Sequence, residues 1–342
     1  MTAVVKTAPA PGSEIRQVPV PEVGPRDVLV KVKAASICGT DLHIQDWDKW
    51  AQGRIHPPLV FGHEFCGEIV ERGPAATTVP VGAFVSVEGH LVDGTCYQCR
   101  TGNAHICENV AIVGVDRPGC FAEFVAVPES NVYVMDKGIS PEVAAIQDPF
   151  GNAVHTTLSG EVAGLTVAIV GAGPIGCCAV AVAQAAGARR VVAIDIRPYR
   201  LELARKMGAD RVIDSTKEDP VAAVKGDTGG EGADVVLEMS GHPEGVKQAF
   251  KMLRRGGRIS LLGIPSQAVA LDLAEDIIFK GATVHGINGR RMWRTWYQAQ
   301  ALLRSGKVDL RPLVTHTFPL AKIHEGMALL KQGEAAKVIL YP

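Results

Sequence analysis

A chain of 342 residues exceeds what one hydrophobic core usually serves, so two domains are expected. Apolar residues make up 47% and charged residues 21%, the balance of an ordinary globular protein, and 35 basic residues nearly cancel 36 acidic ones. No long basic stripe appears, so no nucleic acid and no membrane surface is expected as a partner; a small-molecule substrate is expected on the motifs below.

Met1 to Lys6 holds one lysine but no apolar core with a cleavage site, so it does not read as a signal peptide. Up to about residue 150, short β-rich runs recur at Val28–Val32, Phe84–Val87 and Phe124–Val127. They are punctuated by Pro19, Pro21, Gly24-Pro25 and Gly73-Pro74, which predicts an irregular strand-rich domain with functional loops. From about 160 to 285 strands and helices alternate. Strands are predicted at Thr166–Val170, Val191–Ile194, Val235–Glu238 and Arg258–Leu262, and helices at Ile175–Ala186, Pro198–Met207 and Gly245–Leu253. Such alternation implies an α/β fold with a parallel, doubly wound sheet. Leu165 to Ala188 is uncharged and long enough to span a bilayer, but its glycines and Pro174 fit a strand, a turn and a helix. The last part carries helical patterns at Trp293–Arg304 and Ile323–Lys331 and a strand at Val338–Tyr341, and on pattern alone it could complete either domain.

Gly171-Ala172-Gly173-Pro174-Ile175-Gly176 is G-x-G-x-x-G placed directly after a predicted strand and at the start of a predicted helix. Gly171 permits the tight turn, Gly173 lets the backbone approach a pyrophosphate, and Gly176 lets helix and strand pack closely. Asp195 ends the next strand, where a carboxylate would accept the ribose hydroxyls of NAD and repel a 2′-phosphate. Arg197 and Arg200 lie nearby and could accommodate that phosphate.

The eight cysteines are grouped in a way that suggests metal rather than disulfides, and the compartment is read as cytoplasm. Cys38, His63 and Glu64 offer a thiolate, an imidazole and a carboxylate, the three-ligand set of a catalytic zinc that keeps one position open. Spacing alone does not show that they converge. Asp93, Cys96, Cys99 and Cys107 have the spacing of a closed structural zinc site, with Asp93 in the position of the fourth ligand. A carboxylate oxygen is harder than a thiolate, so weaker binding or loss of the ion are both open. Cys66, Cys120, Cys177 and Cys178 have no ligand spacing and are expected to be buried small residues.

With these residues in hand, the chain resembles the zinc-containing medium-chain alcohol dehydrogenases along essentially its whole length. The telling stretches are Ser36-Ile37-Cys38-Gly39-Thr40-Asp41-Leu42-His43-Ile44, Gly62-His63-Glu64, Glu88-Gly89-His90, Gly114 to Glu123 and Asp148 to Thr156. The resemblance implies a GroES-like β-rich catalytic domain over 1–150, completed by 290–342, around a Rossmann NAD-binding domain over 151–289, assembled as a homotetramer. It implies that Cys38, His63 and Glu64 hold the catalytic zinc, that Thr40 and His43 relay the proton, and that Asp148 assists near the metal. NAD contacts would fall on Ile175, Asp195, Arg200, Leu262, Gly263, Ile264, Ile287 and Asn288. Asp93 departs from the four-cysteine pattern of the family's structural site.

Within the family the likeness points to the branch that oxidises the 3-hydroxyl of L-threonine with NAD to 2-amino-3-oxobutanoate. A polyol or 2,3-butanediol dehydrogenase is the alternative, followed by a non-catalytic dinucleotide-binding protein. An amino-acid substrate calls for a positive donor, for which His90 is the first candidate and Arg117 the second.

Overall fold

The computed structural model describes residues 1–342, which divide into two compact units: Met1–Asp148 with Val314–Pro342, and Pro149–Leu313. The second boundary corrects the expectation that everything from 290 onward joins the first unit. Residues 290–313 pack with the second. Arg290 is buried there with its guanidinium donating to Asn152 Oδ1 at 3.3 Å, and the neighbouring Gly289 carbonyl lies 2.9 Å from His155 Nδ1. The helix Arg294–Arg304 buries Thr295, Trp296, Ala299 and Gln300, and the turn Arg311–Leu313 lies against the helix Pro198–Lys206.

The second unit is built on a six-stranded parallel sheet, in the order Arg211–Asp214, Arg190–Asp195, Thr166–Val170, Ala233–Glu238, Leu253–Leu261 and Thr283–Gly286. Thr166–Val170 and Ala233–Glu238 are buried along their whole length, which fits the apolar stretches Val167–Val170 and Val235–Leu237 at their centres. Helices Pro174–Ala185, Pro198–Lys206, Pro220–Asp227 and Pro243–Met252 each open with proline, whose fixed φ suits the first turn and whose missing N–H would have no partner there. Pro174–Ala185 buries a run of small residues from Gly176 to Ala183 and so lies close on the sheet. The strands Arg211–Asp214 and Thr283–Gly286 and the helix Pro220–Asp227 were not among the predicted elements. No helix is long and apolar enough to cross a membrane.

The first unit holds a seven-stranded sheet in which Asp27–Ser36 is flanked by Glu64–Arg72 and Lys337–Tyr341, both antiparallel to it. Lys337–Tyr341 also pairs in parallel with Val314–Pro319, so the chain's far end is stitched into the middle of the sheet. Ser36 lies opposite Glu64 on one side and Ile339 on the other. That register brings Cys38, Glu64 and Lys337 to one end of three neighbouring strands. The core beneath includes Phe61, Phe65, Ile69 and Phe121, with the rings of Phe61 and Phe121 edge to face at 5.2 Å.

Candidate active site and metal centres

Cys38 follows the strand Asp27–Ser36 and precedes the helix Gly39–Asp46, with its backbone N–H donating to Asp41 Oδ2 at 2.8 Å. His63 stands where the chain enters Glu64–Arg72 through Gly62. Gly62 has φ of 93°, and a Cβ there would meet the Phe121 ring at 2.7 Å, so no other residue fits the turn. The ligand atoms of Cys38, His63 and Glu64 lie within 4.8 Å of one another, with His63 and Glu64 buried.

Two further side chains complete this centre. Asp41 is fully buried, and its Oδ1 faces His63 Nδ1 at 3.6 Å, with neither atom hydrogen-bonded. Lys337 is buried, and its ammonium lies 2.5 Å from Glu64 Oε2 and 3.3 Å from the Ile37 carbonyl. Burial opposes charge on His63, yet the Asp41 carboxylate, the Cys38 sulfur and Asp148 raise its pKa to about 10. Burial likewise pushes the Asp41 carboxyl up, to about 6, against the pull of His63. Burial also works against the Lys337 charge, but Glu64, Cys38 and Asp148 hold its pKa above the ordinary value.

The Lys337 ammonium and the His63 imidazolium thus stand among the carboxyl groups of Asp41, Glu64 and Asp148, beside the Cys38 sulfur. A dication can take the place of the ligands' protons among these carboxyl groups, and a carboxylate behind the histidine is the usual support of a metal-bound imidazole. The residues fit zinc. Thr40 lies beside this centre, its Oγ1 4.0 Å from Cys38 Sγ. His43 is in the last turn of the same helix with its Nδ1 2.6 Å from Asp48 Oδ2. Asp148 opens the helix Gln147–Thr157 and acts on His63 through its charge, outside the ligand cluster.

His90 begins the two-residue strand His90–Leu91, and both its Nδ1 and its backbone N–H reach Oε1 of the fully buried Glu88, at 2.8 and 3.0 Å. Asn131 Nδ2 donates to the carbonyls of Glu88 and His90 at 2.8 Å each, so the segment is rigidly held. Arg117 sits exposed on a loop.

The ligand atoms of Asp93, Cys96, Cys99 and Cys107 also lie within 4.8 Å of one another. Sulfurs about 2.3 Å from a tetrahedral centre stand roughly 3.8 Å apart; Cys96 and Cys107 Sγ are 3.9 Å apart. Backbone N–H groups of Cys99 and Asn109 point at the sulfurs of Cys96 and Cys107, at 3.5 and 3.4 Å. Asp93 Oδ1 accepts the N–H groups of Thr95 and Cys96, and Asn109 Nδ2 donates to Oδ2 at 2.6 Å. Asn109 and these N–H groups hold the Asp93 carboxyl well below the usual range, ionised and able to serve as a ligand. This set fits a structural zinc. Cys66, Cys120, Cys177 and Cys178 are buried, as expected.

In the second unit the glycine motif runs from the end of Thr166–Val170 into Pro174–Ala185. A Cβ on Gly176 would lie 2.0 Å from the Gly171 carbonyl oxygen, so glycine is required where helix meets strand. Gly173 caps the helix without a side-chain hydrogen bond and has open space around it, leaving the helix N-terminus to an anion. Asp195 is buried at the end of its strand; Oδ2 accepts the Ala172 N–H at 2.9 Å, and Oδ1 accepts those of Ile196 and Arg197. Arg200 Nη1 is 3.5 Å from the same carboxylate. Leu262, Gly263 and Ile264 follow the strand Leu253–Leu261, and Ile287 and Asn288 follow Thr283–Gly286. All these residues therefore gather at the carboxyl ends of the parallel strands, where open α/β sheets bind ligands. The residues fit a dinucleotide.

Sequence reasoning missed Asp41, Lys337, Glu88 and Asn109. Asp41 carried a usable signal, an acid three residues into a helix opened by a candidate ligand. Lys337 carried none.

Residues 24–137 match the family model of the alcohol dehydrogenase GroES-like domain, and residues 174–305 match that of the zinc-binding dehydrogenases. The chain is 52% identical to an L-threonine 3-dehydrogenase of Caldanaerobacter subterraneus subsp. tengcongensis, covering 100% of this chain and 99% of that protein. Among solved structures it resembles an alcohol dehydrogenase from Thermus sp. ATN1, with 33% identity, TM-score 0.91 and coverage of 100% and 99%. It also resembles the 2R,3R-butanediol dehydrogenase of Bacillus subtilis, with 28% identity, TM-score 0.89 and coverage of 100% and 99%. The chain belongs to the zinc-binding medium-chain alcohol dehydrogenases, and within them to the family of the L-threonine 3-dehydrogenases.

Proposed function

We propose that this protein oxidises the 3-hydroxyl of L-threonine with NAD, giving 2-amino-3-oxobutanoate. The observation that carries this reading is the three-ligand cluster of Cys38 with the buried His63 and Glu64 in a chain that matches a threonine dehydrogenase over its whole length. Zinc, when bound, supplies Lewis-acid polarisation of the substrate hydroxyl, and NAD supplies the hydride acceptor.

The chain's own residues do the rest. Cys38, His63 and Glu64 hold the ion, with Asp41 orienting His63 and Lys337 steadying Glu64. Thr40 takes the hydroxyl proton and passes it toward His43, and the charge of Asp148 favours that transfer. His90, fixed by Glu88, supplies the positive donor for an amino-acid substrate. The N-terminus of Pro174–Ala185 receives the pyrophosphate at Gly171, Gly173 and Gly176, and Asp195 takes the ribose hydroxyls and disfavours a 2′-phosphate. Ile175, Arg200, Leu262, Gly263, Ile264, Ile287 and Asn288 line the remainder of the dinucleotide site. Asp93, Cys96, Cys99 and Cys107 hold a second, structural zinc.

The working form is a cytoplasmic homotetramer. Support for self-association comes from the sheet-edge strand Thr283–Gly286, near which Leu273, Ile278 and Phe279 are 60%, 67% and 62% exposed. Apolar surface beside a strand edge favours cover by a second copy.

The test is NAD reduction with L-threonine, sorbitol and 2,3-butanediol, before and after chelation, with metal counted per chain. Threonine should be the fastest substrate, chelation should stop turnover, and two zinc ions should be found. Faster turnover of sorbitol or butanediol would replace the substrate assignment by the polyol reading, which the shared fold of the butanediol enzyme keeps in view.

A further inference from the structure

The helix Gly39–Asp46 ends at Trp47, which adopts the left-handed conformation with φ of 55°. That residue turns the chain back on itself. The backbone N–H of Asp48 then donates to the His43 carbonyl at 3.4 Å, and Asp48 Oδ2 comes to 2.6 Å from His43 Nδ1. The other oxygen, Oδ1, accepts the Ala51 N–H at 3.0 Å and caps the next helix, Lys49–Arg54. The carboxylate is therefore held at both oxygens and cannot swing away from the ring without uncapping a helix. Trp50 stands beside the ring, with centroids 6.2 Å apart. Asp46, the other nearby carboxylate, is engaged by Lys331.

The Ala51 N–H and His43 draw the Asp48 carboxyl below its ordinary range, so it is ionised and can only accept. His43 Nδ1 must then carry the hydrogen. In the neutral ring this leaves the lone pair on Nε2.

We infer that Asp48 is a positioning residue that fixes His43 as its Nδ1–H tautomer, so that Nε2 is the atom through which His43 exchanges protons. An unassisted imidazole samples both tautomers and wastes part of its population. Asp48 removes that loss and stabilises the ring cation while the proton is in transit, the service a buried aspartate gives a catalytic histidine elsewhere. The inference rests on the reading of His43 as the relay residue, and its test separates the two.

Asp48→Ser keeps a helix cap, because serine caps as well as aspartate, but its hydroxyl is too short to reach the ring. Asp48→Asn offers one acceptor oxygen to two donors and should show an intermediate effect. The zinc-loaded protein is labelled with 15N-histidine, and the His43 ring signals are identified by their absence in His43→Gln. In the parent protein above the histidine titration, Nδ1 should be protonated and Nε2 bare. In Asp48→Ser the tautomers should mix, Tm should stay put, and kcat with threonine should fall about tenfold, well inside what a positioned acid–base group contributes. KM for NAD should change by less than about twofold, as for a step after binding. An Nε2–H tautomer in the parent, or an unchanged tautomer in Asp48→Ser, overturns the inference and leaves Asp48 a helix cap. A tautomer shift combined with full activity of His43→Gln supports the role of Asp48 and removes His43 from the relay.

Discussion

The two metal clusters use similar ligand atoms but stand differently toward their surroundings. Around Cys38, His63 and Glu64 the ionisable groups are mostly buried, and Asp41 Oδ1 and His63 Nδ1 have no hydrogen-bond partner. Around Asp93, Cys96, Cys99 and Cys107 the loop is largely open to solvent, yet both Asp93 oxygens and the sulfurs of Cys96 and Cys107 already accept N–H groups. The first cluster leaves buried polar atoms without hydrogen bonds. The second is shaped by hydrogen bonds within its own loop. A catalytic centre profits from unmet electrostatic demand, whereas a structural one profits from preorganisation.

That contrast can be broken or sharpened by mutation. Cys38→Ser should cut kcat/KM by roughly a thousandfold or more, since a Lewis acid is worth several kcal/mol. Metal analysis should still find the loop ion; loss of both ions would erase the distinction. Lys337→Met strands the Glu64 carboxylate in the interior and should cost about 3–5 kcal/mol in urea melts of chelated protein. Added zinc should recover part of that loss, and no recovery would mean that Glu64 does not reach the ion. Asp41→Asn should weaken zinc at the catalytic cluster by about 10–100-fold, read by competition with a chelating dye. An equal weakening at the loop would show the clusters to be coupled. Asp93→Cys should have the smallest effect: about tenfold slower zinc release from the loop, with turnover unchanged, because a softer ligand replaces an oxygen already well placed. Faster release would show that the Asn109 contact outweighs ligand softness.

Much of this was legible in the sequence because the informative residues are local. The glycine motif, the strand before it and Asp195 occupy one strand–helix–strand unit, so spacing alone carries the chemistry. The cysteine loop is likewise contiguous. Burial of whole strands made Thr166–Val170 plain, whereas the four-residue strands Arg211–Asp214 and Thr283–Gly286 are only partly covered and show no pattern long enough to read. Asp41 carried a local signal, an acid in the first turn of a helix opened by a candidate ligand, but only the fold places His63 beside it. Residues 290–313 were misplaced because the packing of Arg290 against Asn152 spans distant parts of the chain. Lys337 reaches Glu64 only through strand register, which depends on every element between them.

Lys337 and Glu64 are separated by 273 positions. At translation speeds of about 5–20 residues per second, a ribosome exposes Glu64 roughly 14 to 55 s before it delivers the ammonium that will face it. The strand bearing Glu64 therefore cannot be buried with its final charge balance during most of synthesis. Either the carboxylate stays hydrated, or it borrows a proton or an ion until the last strand slots in. Assembly of this cluster is thus timed by the synthesis of Lys337, long after Cys38, His63 and Glu64 have been made.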